Sequence, residues 1–170
     1  MKDTIDIITQ IDKATLTKGV KAVLDNAKAI RLIKYFGYAL VVASIILFVV
    51  VLQLKSYAPL QGVFVGVVFI FFSQIMAFFN VRRMGNDERV YEKIAYKFDL
   101  KNIYVKAESF EGYLDWSHIQ QVIETKSFFL LYQSKVGASI IPKNAFSDEQ
   151  ASDFRDLITT IPDLKNSILD

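Results

Sequence analysis

Two long apolar stretches dominate the hydropathy pattern of the chain, and neither contains a charged residue. They run over residues 35–54 and 60–79 and are separated by a short segment that begins at Lys55. A helix needs roughly 20 apolar residues to cross about 30 Å of hydrocarbon at 1.5 Å per residue. The pattern therefore predicts a hairpin of two transmembrane helices joined by a short loop.

A signal peptide and a buried soluble hairpin are the alternatives to a membrane hairpin. A signal peptide lies at the extreme N-terminus and has a shorter apolar region, whereas the first stretch begins only at Tyr35. A soluble core could cover one such helix, but a chain of this size rarely buries two. We therefore prefer the membrane hairpin.

The flanking charges predict the orientation of the hairpin. Cations lie before the first stretch and after the second, while the segment between them carries Lys55 alone. Because cationic segments are retained in the cytoplasm, we expect the loop outside and both termini inside. Tyrosines fit the two interfaces. The residues concerned are Lys18, Lys21, Lys28, Arg31, Lys34, Arg82, Arg83, Arg89 and Lys93 for the cations and Tyr35, Tyr38 and Tyr57 for the rings.

Beyond Arg83, short runs of alternating apolar and polar residues replace the long stretches, which is typical of strands. Pro142 ends the series because it has no N–H for a ladder. A helix follows, with Ser147 as N-cap, Gln150 in the capping-box position and Pro162 at its end. The six expected strands cover residues 93–99, 103–106, 110–116, 119–125, 128–133 and 136–141.

The N-terminal residues also alternate, over 4–12, and an amphipathic helix then leads into the first apolar stretch. Two arrangements are open. The first strand can join the six later strands as one seven-stranded sheet built around a membrane insertion. Alternatively, the N-terminus is an independent surface helix or a loose tail. The expected units are residues 1–34, the hairpin 35–80, a domain over 84–162 and a tail over 163–170.

Two strings in the strand-rich part carry a family resemblance. They are Trp116-Ser-His-Ile119 and Ile140-Ile-Pro-Lys-Asn-Ala-Phe146, the second just before the final helix. Together with the two apolar stretches they resemble the YcxB-like proteins of bacteria. The resemblance implies a bacterial plasma (inner) membrane protein with a pleckstrin-homology-like domain, an antiparallel sheet or partial barrel closed by a C-terminal helix. It implies an architecture rather than an activity.

The residues of these strings also have structural interpretations. We expect Trp116 to fill the core with its indole N–H bonded, Pro142 to stop the sixth strand, and Phe146 to pack on the start of the final helix. Lys143 has little structural need. It is either simply exposed to solvent or a contact for an anionic headgroup or a partner carboxylate, a role that Arg82 and Arg83 could share.

The composition offers little material for catalysis. The chain has no cysteine and His118 alone as histidine, so neither a thiolate site nor a paired-histidine metal site is expected. No phosphate-binding glycine loop or dinucleotide fingerprint is present in the sequence. We therefore expect no enzymatic activity, no cofactor and no metal. The apolar stretches hold no ionisable residue, which favours an anchor over a transport path.

The charge distribution narrows the choice of partner. Residues 84–170 carry ten basic and fourteen acidic groups, a net charge of −4, which disfavours nucleic-acid binding. We expect a membrane-anchored interaction module that captures a protein segment at a sheet edge or groove. A reader of anionic headgroups and an accessory subunit of a larger membrane complex are the alternatives. Gly62 and Gly66, four residues apart, can pack within the hairpin or join two copies.

Overall fold

The computed structural model describes residues 4–51, 58–135 and 137–168. Five helices and eight strands form an α+β architecture. The helices are α1 (Lys13–Asn26), α2 (Lys28–Val51), α3 (Ala58–Ile70), α4 (Phe72–Met84) and α5 (Asp148–Thr160). The strands are β1 (Ile5–Thr9), β2 (Ile94–Phe98), β3 (Asn102–Lys106), β4 (Glu111–Asp115), β5 (Gln121–Glu124), β6 (Phe128–Tyr132), β7 (Ala138–Pro142) and β8 (Lys165–Ser167).

The strands form two four-stranded sheets, in the orders β1-β2-β3-β4 and β7-β6-β5-β8. The expectation of a single seven-stranded sheet is therefore wrong, and the described strands do not close into a barrel. A 3-10 turn at Trp116–His118 separates β4 from β5 and carries the chain from the first sheet to the second. The predicted tail contains β8, which pairs in parallel with β5.

Strand β1 lies in the same sheet as strands from beyond the long helices. It pairs antiparallel with β2, and Ile7 lies opposite Tyr96. Ile5, Ile7 and Thr9 are buried, whereas the side chain of Ile8 is exposed. This is the burial that a period-two pattern predicts for a half-buried strand. Of the two arrangements open from the sequence, the strand joins a sheet with the C-terminal part.

The six strands predicted after Arg83 are confirmed as β2 to β7, with ends that differ by a few residues. Local side-chain bonds make the turns between them. The Asp99 carboxylate accepts from the N–H groups of Lys101 and Asn102 at 2.7 Å, which satisfies the backbone where the chain reverses. Helix α5 begins with the predicted capping box, in which Ser147 and Gln150 bond each other's backbone N–H groups.

An aromatic cluster between the sheets and α5 forms the centre of the main core. Phe98, Phe129 and Phe154 are fully buried. The ring centroid of Phe154 lies 4.8 Å from that of Phe98 and 4.9 Å from that of Phe129. Phe146 joins them at 5.3 Å from Phe154. Rings at these separations add to the stabilisation that burial already provides. The core therefore holds both sheets to α5.

Helices α2 and α3 form the predicted hairpin and approach each other closely. A Cβ added to Gly37 would lie 2.8 Å from the carbonyl oxygen of Gly66, and one added to Gly62 would collide with the Ser44 hydroxyl. The Gly62–Gly66 motif thus packs within the hairpin, as one of its two interpretations predicted. A pairing of two copies is a separate hypothesis that these contacts do not require.

Among the described residues, one helix, over Lys28–Val49, is long and apolar enough to cross a membrane. The second predicted span is bent by 52° at Phe71, between Pro59–Ile70 and Phe72–Met84, and counts as a span only if both halves are taken together. The second predicted span, over 60–79, therefore falls on two helices that meet at this bend, and whether it crosses a membrane stays a prediction. The bend lets each half pack on its own partner, α3 on α2 and α4 on α1.

Helix α1 lies between α4 and the outer face of the second sheet. Leu16 and Val20 pack with Ala77 and Val81 of α4. On another side Val23 packs with Phe128, Leu130 and Tyr132 of β6, and the Tyr132 hydroxyl donates a buried hydrogen bond of 3.1 Å to the Val23 carbonyl. The helical region and the sheets are thus joined through α1.

Some predicted features lie outside the described residues. They are residues 52–54 at the end of the first span, Lys55 and Tyr57 in the loop, the beginning of the sixth strand at Val136, and the last two residues of the tail.

Gly19 permits the close approach of α1 to β7, because an added Cβ would collide with the Cγ2 methyl of Ile140. We predict that Gly19→Val lowers the free energy of unfolding by about 1–3 kcal/mol through overpacking. Adding Ile140→Ala should restore part of the loss, because the two side chains share one space. Chemical denaturation of the full chain in detergent measures both variants. Ala14→Val, at an exposed position of α1, is the control for helix propensity; an equal loss there would contradict the steric explanation.

Candidate functional site

A cleft of about 290 Å³ opens where the two sheets separate. Its floor is apolar and its rim is polar, the composition of a site that binds apolar groups and orients them with a few polar contacts. Strands β2, β3 and β4 supply one wall, and β6 and β7 the other. The lining residues are Tyr96, Ile103, Val105, Phe110, Glu111, Gly112, Tyr113, Leu114, Leu131, Gln133 and Ser139.

Gly112 keeps the mouth of this cleft open. It lies opposite Val105 in the β3–β4 pair, and Leu114 lies opposite Ile103. These four positions alternate with outward-facing ones along their strands. A Cβ built on Gly112 would meet no heavy atom within 4 Å. Strand β4 pairs with β3 without interruption at this glycine, so Gly112 leaves space in the cleft without a bulge.

Strand β4 is also a free edge of the first sheet. It pairs with β3 on one side, and no described strand pairs with its other side. The opposite edge, β1, contacts α5, whose Gln150 side chain donates to the Asp6 carbonyl at 2.9 Å. An uncovered edge presents backbone donors and acceptors to a further strand. The cleft therefore has a free backbone edge along one of its walls.

The outward face of β3 and β4 carries a polarised group of three residues, of which only Glu111 also lines the cleft. The Tyr104 hydroxyl donates to the Glu111 carboxylate at 2.5 Å, and Lys106 lies 3.4 Å from the same carboxylate. The bond to Glu111 raises the pKa of Tyr104 to about 12. The Tyr104 bond, followed by the charge of Lys106, lowers the pKa of Glu111. At neutral pH Glu111 is therefore a carboxylate beside the neutral phenol of Tyr104.

The other polar groups around the cleft are neutral. Burial raises the pKa of Tyr96, which faces the floor, to about 12. The Gln133 side chain donates to the Ser139 hydroxyl at 3.0 Å. These groups give the cleft hydrogen-bonding capacity without further charge.

A buried carboxylate anchors α5 to the second sheet. The side chain of Glu124 in β5 has no solvent exposure. Arg155 of α5 bonds it at 2.8 Å through Nη2 and at 3.1 Å through Nε, and Lys143 forms a second ion pair. Burying a carboxylate is costly unless it is paired and hydrogen-bonded. Neither Glu124 nor Arg155 stood out in the sequence, because a charged residue on an alternating strand or on an amphipathic helix is expected to face solvent.

Lys143 is not simply exposed to solvent. Besides its ion pair with Glu124, its ammonium lies 5.4 Å from the centre of the Phe129 ring, a cation–π contact. The expectation that this lysine has little structural need is therefore wrong, because it neutralises a buried carboxylate. A contact with a headgroup or a partner stays a prediction for Lys143.

The other residues of the two motifs lie in the core or at its border. Trp116 is buried, and its indole N–H donates to the Asp99 carbonyl at 2.8 Å, which confirms its predicted role. Pro142 is the last residue of β7, and Phe146 packs on Phe154 of α5, both as predicted. These two motifs build the fold rather than line the cleft.

The remaining candidates lie apart from the cleft. Arg82 and Arg83 are exposed in the last turn of α4. His118 is exposed at the end of the 3-10 turn after β4. In the part of the chain that the structure describes, no group of three or more His, Cys, Asp or Glu side chains could hold a metal ion.

Comparison with known proteins identifies one relationship. Residues 98–158, from the end of β2 to the last turn of α5, match the model of the family described as YcxB-like protein. The match includes both motifs, the free strand β4 and most of the cleft. No curated protein and no solved structure matches the chain.

The buried ion cluster of Glu124, Lys143 and Arg155 predicts that removing its cations destabilises the protein more than removing its carboxylate. Removing both cations, with Lys143→Met and Arg155→Met, should cost about 3–5 kcal/mol of unfolding free energy, because Glu124 stays buried without them. Glu124→Leu should cost less, since the side chains of Arg155 and Lys143 are 35% and 22% exposed and can turn to water.

Denaturant titration of the full chain measures these variants. Lys106→Met, which removes a cation from the exposed pair with Glu111, is the matched control and should leave stability unchanged. A larger loss for Glu124→Leu than for the double variant would contradict this description of the cluster.

Proposed function

We propose that this chain, whose residues 98–158 match the model of the YcxB-like protein family, is a membrane-anchored, non-enzymatic interaction module. Helices α2 to α4 hold it in the membrane. The two sheets lie on the cytoplasmic side and bind an extended segment of a partner protein in the cleft beside β4. The observation that carries the proposal is the coincidence of a free strand edge with an open apolar cleft.

The surface of α2 supports attachment to a membrane. Its most apolar window has a mean hydropathy of 2.2, and only 11% of that window is buried within the protein. A core helix of a soluble protein would be mostly covered. Large apolar side chains such as Phe36, Ile46 and Val49 are more than half exposed, which is unfavourable in water and favourable in hydrocarbon.

The pairing of β1 with β2 supports a two-pass arrangement. These strands lie at the two ends of the helical segment and are hydrogen-bonded neighbours. A chain whose two ends meet in one sheet must return to the side from which it left. If α2 crosses the membrane, α3 and α4 together must cross back. The cations at both ends favour the cytoplasm for that side.

The chemistry of the cleft indicates the kind of partner segment. Strand addition supplies backbone hydrogen bonds at β4, and alternate side chains of the added strand would face the apolar floor. The exposed outward carboxylates Glu108, Glu111 and Asp115 lie along or beside this edge. The domain is acidic as well, with the net charge of −4 over residues 84–170. We therefore propose an extended segment in which apolar residues alternate with lysine or arginine.

The layout of the domain is compatible with a pleckstrin-homology-like fold. Four antiparallel strands are followed by three antiparallel strands and a helix that packs on the shared core. This is an open, two-sheet version of the partial barrel that the family resemblance implies. Because such scaffolds carry many functions, the proposal rests on the cleft and not on the fold.

The proposed topology predicts the labelling of single cysteines in a chain that naturally has none. In intact cells Ser56→Cys, in the segment between the apolar stretches, should react with a membrane-impermeant maleimide, and Ser147→Cys should react only after lysis. Labelling of Ser147→Cys from outside would contradict the proposed orientation. An external reaction of both variants would contradict the cytoplasmic location of the sheets.

The proposed binding mode predicts that filling the cleft blocks it. Full-length protein in detergent would be titrated with synthetic peptides that alternate apolar residues with lysine, or with glutamate as the charge control. Gly112→Leu should weaken binding of the lysine peptides at least tenfold, because its side chain occupies the space beside Val105. Ser167→Leu adds the same side chain to exposed strand β8 and is the matched control. Equal binding by wild type and Gly112→Leu, or a preference for glutamate peptides, would contradict the proposal.

A further inference from the structure

A second cleft, of about 300 Å³, lies at the junction of α1 and α2. It is separate from the cleft between the sheets and shares no residue with it. Asp25 comes from α1 and the other lining residues come from the first turns of α2. The lining residues are Asp25, Ile30, Arg31, Lys34, Tyr35 and Tyr38.

The polar groups of this cleft form one stripe along α2. Arg31, Lys34, Tyr35 and Tyr38 have the spacing of a single helix face. The two cations come first and the two phenols follow one and two turns later, toward the apolar part of the helix. The stripe rises about 10 Å at 1.5 Å per residue. This is close to the interfacial layer, roughly 5–8 Å on each side of the hydrocarbon.

The cations of the cleft are not held in ion pairs with described residues, although the charge of Lys34 contributes to the lowered pKa of Asp25. Within the described part of the chain, neither Arg31 nor Lys34 forms a salt bridge. The one carboxylate of the cleft already has a partner, because Asp25 pairs with Lys21. Burial would raise the pKa of Asp25, but hydrogen bonds from Lys21 and Ser73 outweigh it and lower the pKa. Asp25 therefore stays ionised and paired.

We propose that this cleft binds the phosphate group of an anionic phospholipid. The Arg31 guanidinium presents planar N–H donors that match phosphate oxygens, and Lys34 adds a second positive charge. The Tyr35 and Tyr38 rings sit at the depth where amphipathic aromatic side chains favour the interface. The inference rests on the proposed membrane attachment of α2 and is independent of the binding of a protein segment at β4.

Binding of phosphatidylglycerol and phosphatidylcholine to the full chain in detergent, measured by native mass spectrometry, tests this proposal. The wild type should prefer phosphatidylglycerol. Arg31→Gln with Lys34→Gln should weaken phosphatidylglycerol binding about 30-fold, which corresponds to about 2 kcal/mol for two cations at the membrane surface.

The matched control is Lys13→Gln with Lys18→Gln, which removes two exposed cations of α1 that do not line the cleft. It should retain the wild-type affinity. An equal loss in this control would overturn the cleft as a specific site, because it would show attraction by the whole basic surface. Equal binding of the two lipids by the wild type would overturn it as well. Thermal unfolding confirms that each variant is folded.

Inorganic phosphate distinguishes the two sources of a phosphate group. If phosphate alone binds to the wild type as tightly as phosphatidylglycerol does, the proposal of a lipid ligand is overturned. Weak displacement of phosphatidylglycerol by phosphate supports it. Failure of this experiment leaves peptide binding at β4 untouched, since Gly112→Leu reports only on that cleft.

Discussion

The pairing of β1 with β2 is the constraint on which the rest of the structure depends. These strands are separated in sequence by four helices, yet they exchange backbone hydrogen bonds within one sheet. The helical segment therefore begins and ends at the same place. This closure costs loop entropy that grows only slowly with length, and the burial of Ile5 and Ile7 beside Phe98 offsets it. An even number of membrane crossings follows from the closure, if the helices cross at all.

Helix α1 turns this closure into a rigid connection. It is packed on α4 through Leu16 and Val20 and on β6 through Val23, so the helical segment is held against the sheets. Gly19 allows the approach to Ile140. The same packing accounts for the bend at Phe71, because α4 packs along α1 whereas α3 packs along α2. If α2 crosses a membrane, this packing holds the two sheets at a defined position relative to it.

The motifs over residues 116–119 and 140–146 stabilise the fold of the two sheets. The surfaces proposed for binding are two clefts formed by other residues, one between the sheets and one at the junction of α1 and α2. Trp116 and Phe146 are in the core, and Lys143 neutralises the buried Glu124 together with Arg155. The surfaces proposed for recognition are instead the edge of β4 and the stripe on α2. One has an apolar floor with an acidic rim, and the other pairs cations with phenols. Their chemistry is complementary to two different ligands, a basic extended segment and a phosphate headgroup.

The sequence by itself determined the local structure of this protein. The alternation of apolar and polar residues predicted strands β1 to β7. The capping box predicted the start of α5, and the length of the first apolar stretch predicted a helix where α2 lies. The Gly62–Gly66 spacing predicted a close contact within the hairpin. These features depend on neighbours along the chain, which a periodic pattern records. The basic residues Arg31 and Lys34 were also visible, but only as part of a wider set of cations.

Tertiary structure alone decided which elements meet. It divided the strands between two sheets, added β8, bent α3 against α4, and brought Glu124, Lys143 and Arg155 together from three elements. It also left the space beside Gly112 and gathered one stripe of α2 into a cleft with Asp25. Contacts of this kind join residues far apart in sequence, and their energies depend on packing and burial that no local pattern encodes.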